Sequence, residues 1–348
     1  MVARKIRVLV ADGSVVERER ITALLCTDPE IQVVGQAARS AGVVEAAKRL
    51  YPDIIVLDAC LPGEGGFEIT KEIMIETPAP VVIVSDETDA RQVEASILAL
   101  RAGALAVVAR PLPSHNGHAV PASQHFISTI KAMSHVKVVR HWRQSLKLPP
   151  VSRAALPDAP PLVVAIAAST GGPAALQQVL SELPGDFPAP ILVVQHIASG
   201  FVDGLVNWLN ALCSLKVKVA VQAEQLQPHT VYVAPDGSHL GVSGRSRILL
   251  SAAEPIGGFR PSATFLFESV AQAFGASSLH VILTGMGQDG VVGLKAARAS
   301  GARIVAQDEA SSVVFGMPGA AIGAGVVDSI LPLTSVAGEL LATMRGKE

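Results

Sequence analysis

Three residues in the second half of the chain carry the side-chain types of nucleophilic acyl chemistry: Ser169, His196 and Asp289. Ser169 follows the apolar run 163–167 and precedes Thr170-Gly171-Gly172-Pro173. The glycines permit a sharp turn there, and the proline suits the first turn of a helix. A serine at such a junction presents its hydroxyl beside helix N-terminal N–H groups that can hold an oxyanion. His196 follows the run 191–194, and Asp289 follows 281–283. An imidazole so placed can take the serine proton, while the carboxylate orients the ring and stabilises its charged form. Each residue also has a plain alternative: a helix-capping serine, a loop histidine, a turn-forming Asp-Gly pair. What raises the trio is that each follows its own strand, beside glycines or a helix start. The carboxyl ends of parallel strands open on one crevice.

A second set occupies the first half. Asp12, Asp58, Ser85 and Arg110 follow the apolar runs 6–11, 54–57, 81–84 and 106–108. After Asp58 the sequence Ala-Cys-Leu-Pro-Gly switches from strand to loop and leaves the carboxylate accessible. Taken singly, each of the four is an ordinary polar loop start.

The elements that must position both sets alternate between strand and helix signals. In the first half a further strand is expected at 32–34. Ser14 and Glu17 have capping-box spacing, with Ile21, Leu24 and Leu25 following at helical intervals. Phe126, Ile130 and Met133 mark a last helix. Residues 1–135 are therefore expected to form a five-stranded α/β domain. Residues 136–160, rich in proline, read as a linker. Histidines 115, 118, 125, 135 and 141 fall in and around this stretch at spacings that fit no metal-ligand pattern, and are read as solvated. Residues 161–348 form the second domain, with strands at 163–167, 191–194, 217–221, 281–283, 303–306 and 326–327, and a hairpin between 231–234 and 248–250. The fold class is α/β, with two doubly wound parallel-sheet domains, the second the larger.

Composition narrows the function. A formal charge of −2 gives no basic surface for nucleic acid, and no helix-turn-helix signal follows the first domain, which disfavours a DNA-binding regulator. The three cysteines, Cys26, Cys60 and Cys213, are too dispersed for a disulfide framework or a zinc site. No apolar run reaches the ~18–20 residues that span a bilayer. The segment MVARKIRVLVADG lacks a signal peptide's apolar core and cleavage site, so a soluble, cytoplasmic protein without membrane insertion is expected.

Gly285-Met-Gly-Gln-Asp-Gly290 also fits the dinucleotide pattern GxGxxG, with Asp308 where a ribose-binding acid would stand. A nicotinamide-dependent oxidoreductase is thus an alternative. Against it, Asp289 would sit inside the loop that approaches the pyrophosphate, where its charge repels.

The motifs IAASTGGP, VVQHIASGF, VYVAPDGSHL, FRPSATFLFESVA, ILTGMGQDG and QDEASSVVFGMPGAA together resemble the effector domain of CheB-type chemotaxis protein-glutamate methylesterases, across residues 162–345. The resemblance implies a catalytic triad of Ser169, His196 and Asp289, with Thr170 and Met286 lining the site. It implies hydrolysis of γ-glutamyl methyl esters on chemoreceptors, deamidation of receptor glutamines by the same acyl chemistry, and no cofactor for either step. Ala167 and Ala198-Ser199 depart from the usual pattern without touching the triad. A non-catalytic signalling adaptor is the competing class, and the intact triad positions argue against it.

VLVADGS, DIIVLDACLPGEGGFE, VVIVSDETD and GALAVVARP resemble a response-regulator receiver over residues 4–135. This implies Asp58 as phosphoryl acceptor, Ser85 as the hydroxyl that senses the phosphoryl group, Asp12 and Asp58 as magnesium ligands, and a chemotaxis histidine kinase and chemoreceptor cytoplasmic domains as partners. It further implies that the receiver covers the active site until phosphorylation relieves it. Two positions depart. Gly13 stands where receivers carry a second acid, and Arg110 where they carry lysine. Losing a carboxylate should weaken Mg²⁺ severely, and a guanidinium does not reproduce an ammonium point charge. Weak or absent magnesium binding and little phosphoryl transfer to Asp58 are expected.

Overall fold

Strands buried on both faces of a parallel sheet read as nearly continuous apolar runs, and the central strands of the first domain follow this rule up to the polar residue at each carboxyl end. In a computed structural model that describes residues 4–86, 89–111, 120–136 and 162–345, the chain divides into two compact units, Met1–Ser145 and Leu146–Glu348. The first alternates β1 (Ile6–Ala11), α1 (Val15–Leu25), β2 (Ile31–Ala37), α2 (Ser40–Leu50), β3 (Ile54–Asp58), α3 (Gly65–Glu76), β4 (Val81–Ser85), α4 (Ala90–Ala102), β5 (Ala106–Ala109) and α5 (Val120–Ser134). Its five strands are parallel in the order β2-β1-β3-β4-β5, and every residue of β3 and β4 is buried. Phe126, Ile130 and Met133 of α5 are buried, as their spacing predicts. The capping box is half made. The Glu17 N–H donates to the Ser14 hydroxyl at 3.3 Å, but the Ser14 N–H donates to Asp12 Oδ1 at 2.8 Å. The Glu17 carboxylate turns to Arg20 and Arg110 instead.

The second unit contains β6 (Val163–Ala168), α6 (Gly172–Ser181), β7 (Ile191–Gln195), α7 (Val202–Leu212), β8 (Lys216–Val219), β9 (Thr230–Val233), β10 (His239–Ser243), β11 (Arg247–Ser251), α8 (Ala263–Phe274), β12 (Ser278–Ile282), α9 (Val291–Ala299), β13 (Arg303–Gln307), α10 (Met317–Gly323), β14 (Ser329–Leu331) and α11 (Leu333–Arg345). Seven strands form one sheet in the order β14-β13-β12-β6-β7-β9-β8, all parallel. The chain builds outward from β6 through β7 to β9 and β8, then crosses back to β12, β13 and β14. The switch point lies between β6 and β12, where a doubly wound sheet opens its ligand crevice.

Two expectations for this unit are corrected. Residues 231–234 are not half of a hairpin: β9 lies in the main sheet between β7 and β8, and the antiparallel partner of β11 is β10. The last strand begins at Ser329 rather than at 326–327, because the Asp328 N–H bonds the Ile304 carbonyl at 2.9 Å and fixes the edge register there. One face of the sheet carries a core in which Leu240 and Ile248 of the hairpin pack with Leu266, Phe267 and Val270 of α8 and Leu294 of α9. The segment 136–160 read as a linker lies outside the described residues except Val136, as do four of its five neighbouring histidine side chains. Among the described residues no group of three or more His, Cys, Asp or Glu could hold a metal, and no helix is long and apolar enough to cross a membrane.

Candidate active site

The end of β6 sits between the ends of β12 and β7, and backbone bonds fix it there. The Ser169 N–H donates to the Thr284 carbonyl at 3.0 Å, and the His196 N–H to the Ala168 carbonyl at 2.9 Å. Gln195, buried one residue before His196, donates from Nε2 to the carbonyls of both Ser169 (2.7 Å) and His196 (2.8 Å). The Thr284 hydroxyl donates to the Thr170 carbonyl at 2.9 Å. Gly171 takes a positive φ of 76° to turn the chain into α6. A Cβ on Gly285 would stand 2.8 Å from Ser169 Cβ and 2.4 Å from the Met317 sulfur, so the turn after β12 packs directly on the serine.

His196 Nε2 lies 3.0 Å from Asp289 Oδ2. The separation is that of an ion pair, while the angle is not that of an aligned hydrogen bond, and neither ring nitrogen has an aligned partner. Phe259 stacks on the imidazole with centroids 4.2 Å apart and planes 7° from parallel. Asp289 is densely solvated by protein. It accepts from the Ser262 hydroxyl (2.8 Å) and from the N–H groups of Ala263 (2.7 Å), Thr264 (3.1 Å) and Gly290 (2.8 Å). Its carboxylate therefore sits on the open N-terminus of α8, where the helix dipole favours negative charge. Burial acts to raise its pKa, but His196 and these donors outweigh burial and bring it down to about 2.

The structure thus brings His196 and Asp289 into contact and seats Ser169 on the adjoining strand end. Among the described residues the Ser169 hydroxyl makes no hydrogen bond. Catalytic bonds of this kind commonly close only around substrate. Thr170 and Met286 are half-buried at the same crevice, and their N–H groups have no acceptor among the described residues. Two backbone donors beside a serine hydroxyl are the arrangement that can hold an oxyanion. Sequence reasoning missed Gln195, Phe259, Ser262 and Thr284. Only Ser262 carried a legible signal, since Pro-Ser-Ala-Thr ahead of an apolar run is a helix-start pattern.

The glycine loop does not offer itself to a dinucleotide. Gly285 accepts from the N–H groups of Gly316 (3.0 Å) and Met317 (2.8 Å), and Gly290 donates to Thr264 Oγ1 at 2.9 Å. Asp308 accepts from the Ser311 N–H at 2.9 Å and closes a local turn.

In the first unit Asp12, Asp58, Ser85 and Arg110 also meet at strand ends. The Arg110 guanidinium spans both acids, with Nη1 at 2.5 Å from Asp12 Oδ2 and Nη2 at 3.0 Å from Asp58 Oδ1. Glu17 Oε2 lies 3.5 Å from the same Nη1. Burial and the neighbouring Asp12 charge push the Asp58 pKa up, against the pull of Arg110 and the Cys60 N–H. The Ser85 hydroxyl is fully buried with no partner among the described residues. This arrangement does not fit a magnesium ion. The guanidinium takes an oxygen of each carboxylate that would ligate it, and Gly13 supplies no third acid. A Cβ on Gly13 would meet Pro62 Cδ at 2.6 Å, so the space for a side chain there is already filled.

An acidic strand-end pocket on a five-stranded sheet, joined in one chain to a parallel-sheet crevice holding serine, histidine and aspartate, defines a class: a response regulator whose effector is a hydrolase. Residues 164–340 match the family described as CheB methylesterase, and residues 8–120 match the response regulator receiver domain. The chain belongs to the CheB methylesterase family. It is 48% identical over 345 residues, 98% of each chain, to protein-glutamate methylesterase/protein-glutamine glutaminase 4 of Myxococcus xanthus. It is 46% identical to the protein-glutamate methylesterase/protein-glutamine glutaminase of the group 3 operon of Rhizobium meliloti, covering 98% of this chain and 97% of that one. The crystal structure of the Thermotoga maritima CheB methylesterase catalytic domain superposes with a TM-score of 0.51 at 36% identity, covering 52% of this chain and 98% of that domain.

Proposed function

We propose that this chain hydrolyses γ-glutamyl methyl esters on chemoreceptor cytoplasmic domains, releasing methanol, and deamidates receptor glutamines at the same site. The observation that carries the reading is the His196–Asp289 contact at 3.0 Å beside Ser169, at the switch point of the sheet. Ser169 Oγ attacks the ester carbonyl while His196 takes its proton. Asp289, kept ionised by its donors, stabilises the imidazolium. The N–H groups of Thr170 and Met286 receive the oxyanion. His196 returns the proton to the departing methoxide, and water then resolves the acyl-enzyme by the same route in reverse. Deamidation differs only in its leaving group, ammonia. Neither step draws on a cofactor.

The first unit acts in this reading as a receiver whose pocket is occupied by its own cation, with Arg110 where metal and phosphoryl group would meet the carboxylates. A chemotaxis histidine kinase is the partner such a module addresses, in a cytoplasmic setting. Phosphoryl transfer to Asp58 is expected to be slight.

Receptor membranes carrying radiolabelled methyl esters provide the test. The chain should release volatile methanol, and a folded Ser169→Ala variant should lose on the order of 10³-fold or more of that rate. Undiminished release by Ser169→Ala would exclude the mechanism.

A further inference from the structure

His239 lies outside the crevice, fully buried in β10, and its ring joins two points of the loop that leads from β11 to α8. At one end Nε2 is 3.1 Å from the Glu254 carbonyl oxygen. At the other, Nδ1 lies 3.2 Å from the Ser262 nitrogen. A backbone N–H can only donate, so Nδ1 is the acceptor and Nε2 carries the proton given to Glu254; the hydrogen-bond network thereby assigns the tautomer. Phe265 stacks on the ring at 4.8 Å and fixes its plane.

What lies along the spanned loop gives this histidine its importance. Phe259, between the two anchored ends, stacks on His196, and Ser262, at the far end, donates its hydroxyl to Asp289 at 2.8 Å. Elsewhere the loop is held by the paired backbone of Ile256 and Phe259 and by Arg260, which donates to the carbonyls of Ala252 (3.1 Å) and Ala253 (3.2 Å). None of those bonds reaches Ser262. His239 is the side chain that links Ser262 to the opposite limb of the loop.

We propose that His239 is a positioning residue for the hydrolytic site: it sets Ser262, and through Ser262 the Asp289 carboxylate, at the geometry His196 requires. This rests on the hydrolase reading above. The sequence Glu254 carbonyl, His239, Ser262, Asp289, His196 is one chain of contacts that ends on the catalytic base. Misplacing a catalytic group by about 1 Å can cost on the order of 10²-fold in rate, so a histidine that touches no substrate can govern turnover.

The two conservative replacements divide the ring's roles. In His239→Asn the short amide can place an acceptor near the position of Nδ1. In His239→Gln the longer amide reaches the position of Nε2 and leaves the Ser262 N–H without its acceptor. Methanol release is measured with the full chain on methyl-labelled receptor membranes, giving kcat, KM and the thermal midpoint, with wild type and Ser169→Ala alongside. His239→Gln is expected to lower kcat about 10-fold or more with KM within about twofold, and His239→Asn to stay within about threefold of wild type. In an Asp289→Asn background the His239→Gln loss should largely vanish, because residues acting as one unit are non-additive. Equal losses in both variants that track a lowered thermal midpoint, wild-type rates in both, or an undiminished loss in the Asp289→Asn background would each overturn the proposal. Ser262→Ala, which keeps the N–H held by His239 but removes the hydroxyl on Asp289, checks the last link: a wild-type kcat there ends the proposal. Failure of the wild-type chain to release methanol, or release that survives Ser169→Ala, strikes instead at the hydrolase reading.

Discussion

Each unit of this protein buries an aspartate side chain on the carboxyl side of its sheet, Asp58 at the end of β3 and Asp289 in the turn between β12 and α9, and the two are treated in opposite ways. Asp289 rests on the N-terminus of α8 with four hydrogen-bond donors and His196 around it, and its pKa falls to about 2. Asp58 faces another carboxylate, shares one guanidinium with it and receives a backbone N–H at a long 3.4 Å, and its pKa rises. Burial penalises both charges. What decides the sign is the balance around each group: at Asp289, His196 and then the backbone and hydroxyl donors outweigh burial, while at Asp58 burial and the Asp12 charge outweigh Arg110 and the Cys60 N–H. A charge that must persist through a reaction cycle is surrounded by fixed dipoles. A charge of the kind that receivers neutralise with a metal ion is here met by a resident arginine.

The sharpest break in this comparison is removal of each charge. Asp289→Asn should lower methanol release on the order of 10³–10⁴-fold, since the amide neither stabilises the imidazolium nor enforces the tautomer. Asp58→Asn should leave the basal rate within about twofold, because it alters no group of the hydrolytic crevice. Parallel assays on receptor membranes check both, and a comparable loss in Asp58→Asn would erase the distinction.

Next in size is the filled space at Gly13. Gly13→Asp forces the Pro62 ring aside and should destabilise the first unit by roughly 1–3 kcal/mol, as overpacking does. It should not create a magnesium site while Arg110 holds both acids. Gly13→Asp with Arg110→Lys frees the carboxylates, and Mg²⁺ affinity by calorimetry should rise only in that double variant.

Acid titration separates the two aspartates by sign. The folded pKa of Asp289 lies below its unfolded value, so its stabilisation is present above about pH 4 and is lost as pH falls toward about 2. The shift corresponds to about 2 kcal/mol. Asp58 runs the other way: its contribution is present below the unfolded pKa and is lost as pH rises through the raised folded value. Denaturation of Asp289→Asn should therefore show a weaker loss of stability between pH 4 and 2 than wild type, and Asp58→Asn should be relatively more stable near neutrality.

The smallest effect is expected at the imidazole's face. Phe259→Leu keeps an apolar cover but loses the parallel stack, about 1 kcal/mol, and should lower kcat several-fold.

How much of this was legible in the sequence follows from how local each signal is. Strands such as Ile54–Asp58 and Val163–Ala168 announce themselves because both faces are buried and the run is apolar throughout, save for Asp58 at the carboxyl end of the first. The residues that follow them are then placed by topology, which is why Ser169, His196 and Asp289 could be grouped without coordinates. Gly13 and Arg110 were equally visible as departures from the receiver pattern. The strand His239–Ser243, short and interrupted by Gly241, has too weak a period to be read from the sequence, so residues 248–250 find their expected hairpin partner in 231–234 instead of in this strand. Glu17 had the spacing of a capping residue, yet a charged partner 93 positions away in sequence, Arg110, competes for its carboxylate. Ser262 is legible as a helix cap, and its hydroxyl does accept from the Thr264 N–H, but its bond to Asp289 is a tertiary contact. The contacts of Gln195 with the Ser169 carbonyl and of His239 with Ser262 are likewise encoded by no spacing along the chain.

Methanol release by the full chain, measured with and without Mg²⁺ and acetyl phosphate, tests the contrast between the two sites most directly. The expected result is release that depends on Ser169 and His196 and changes little on adding the phosphodonor, in wild type and in Asp58→Ala alike. Strong donor-dependent activation that disappears in Asp58→Ala would contradict it, because the arginine-held pocket would then have taken up metal and phosphoryl group after all.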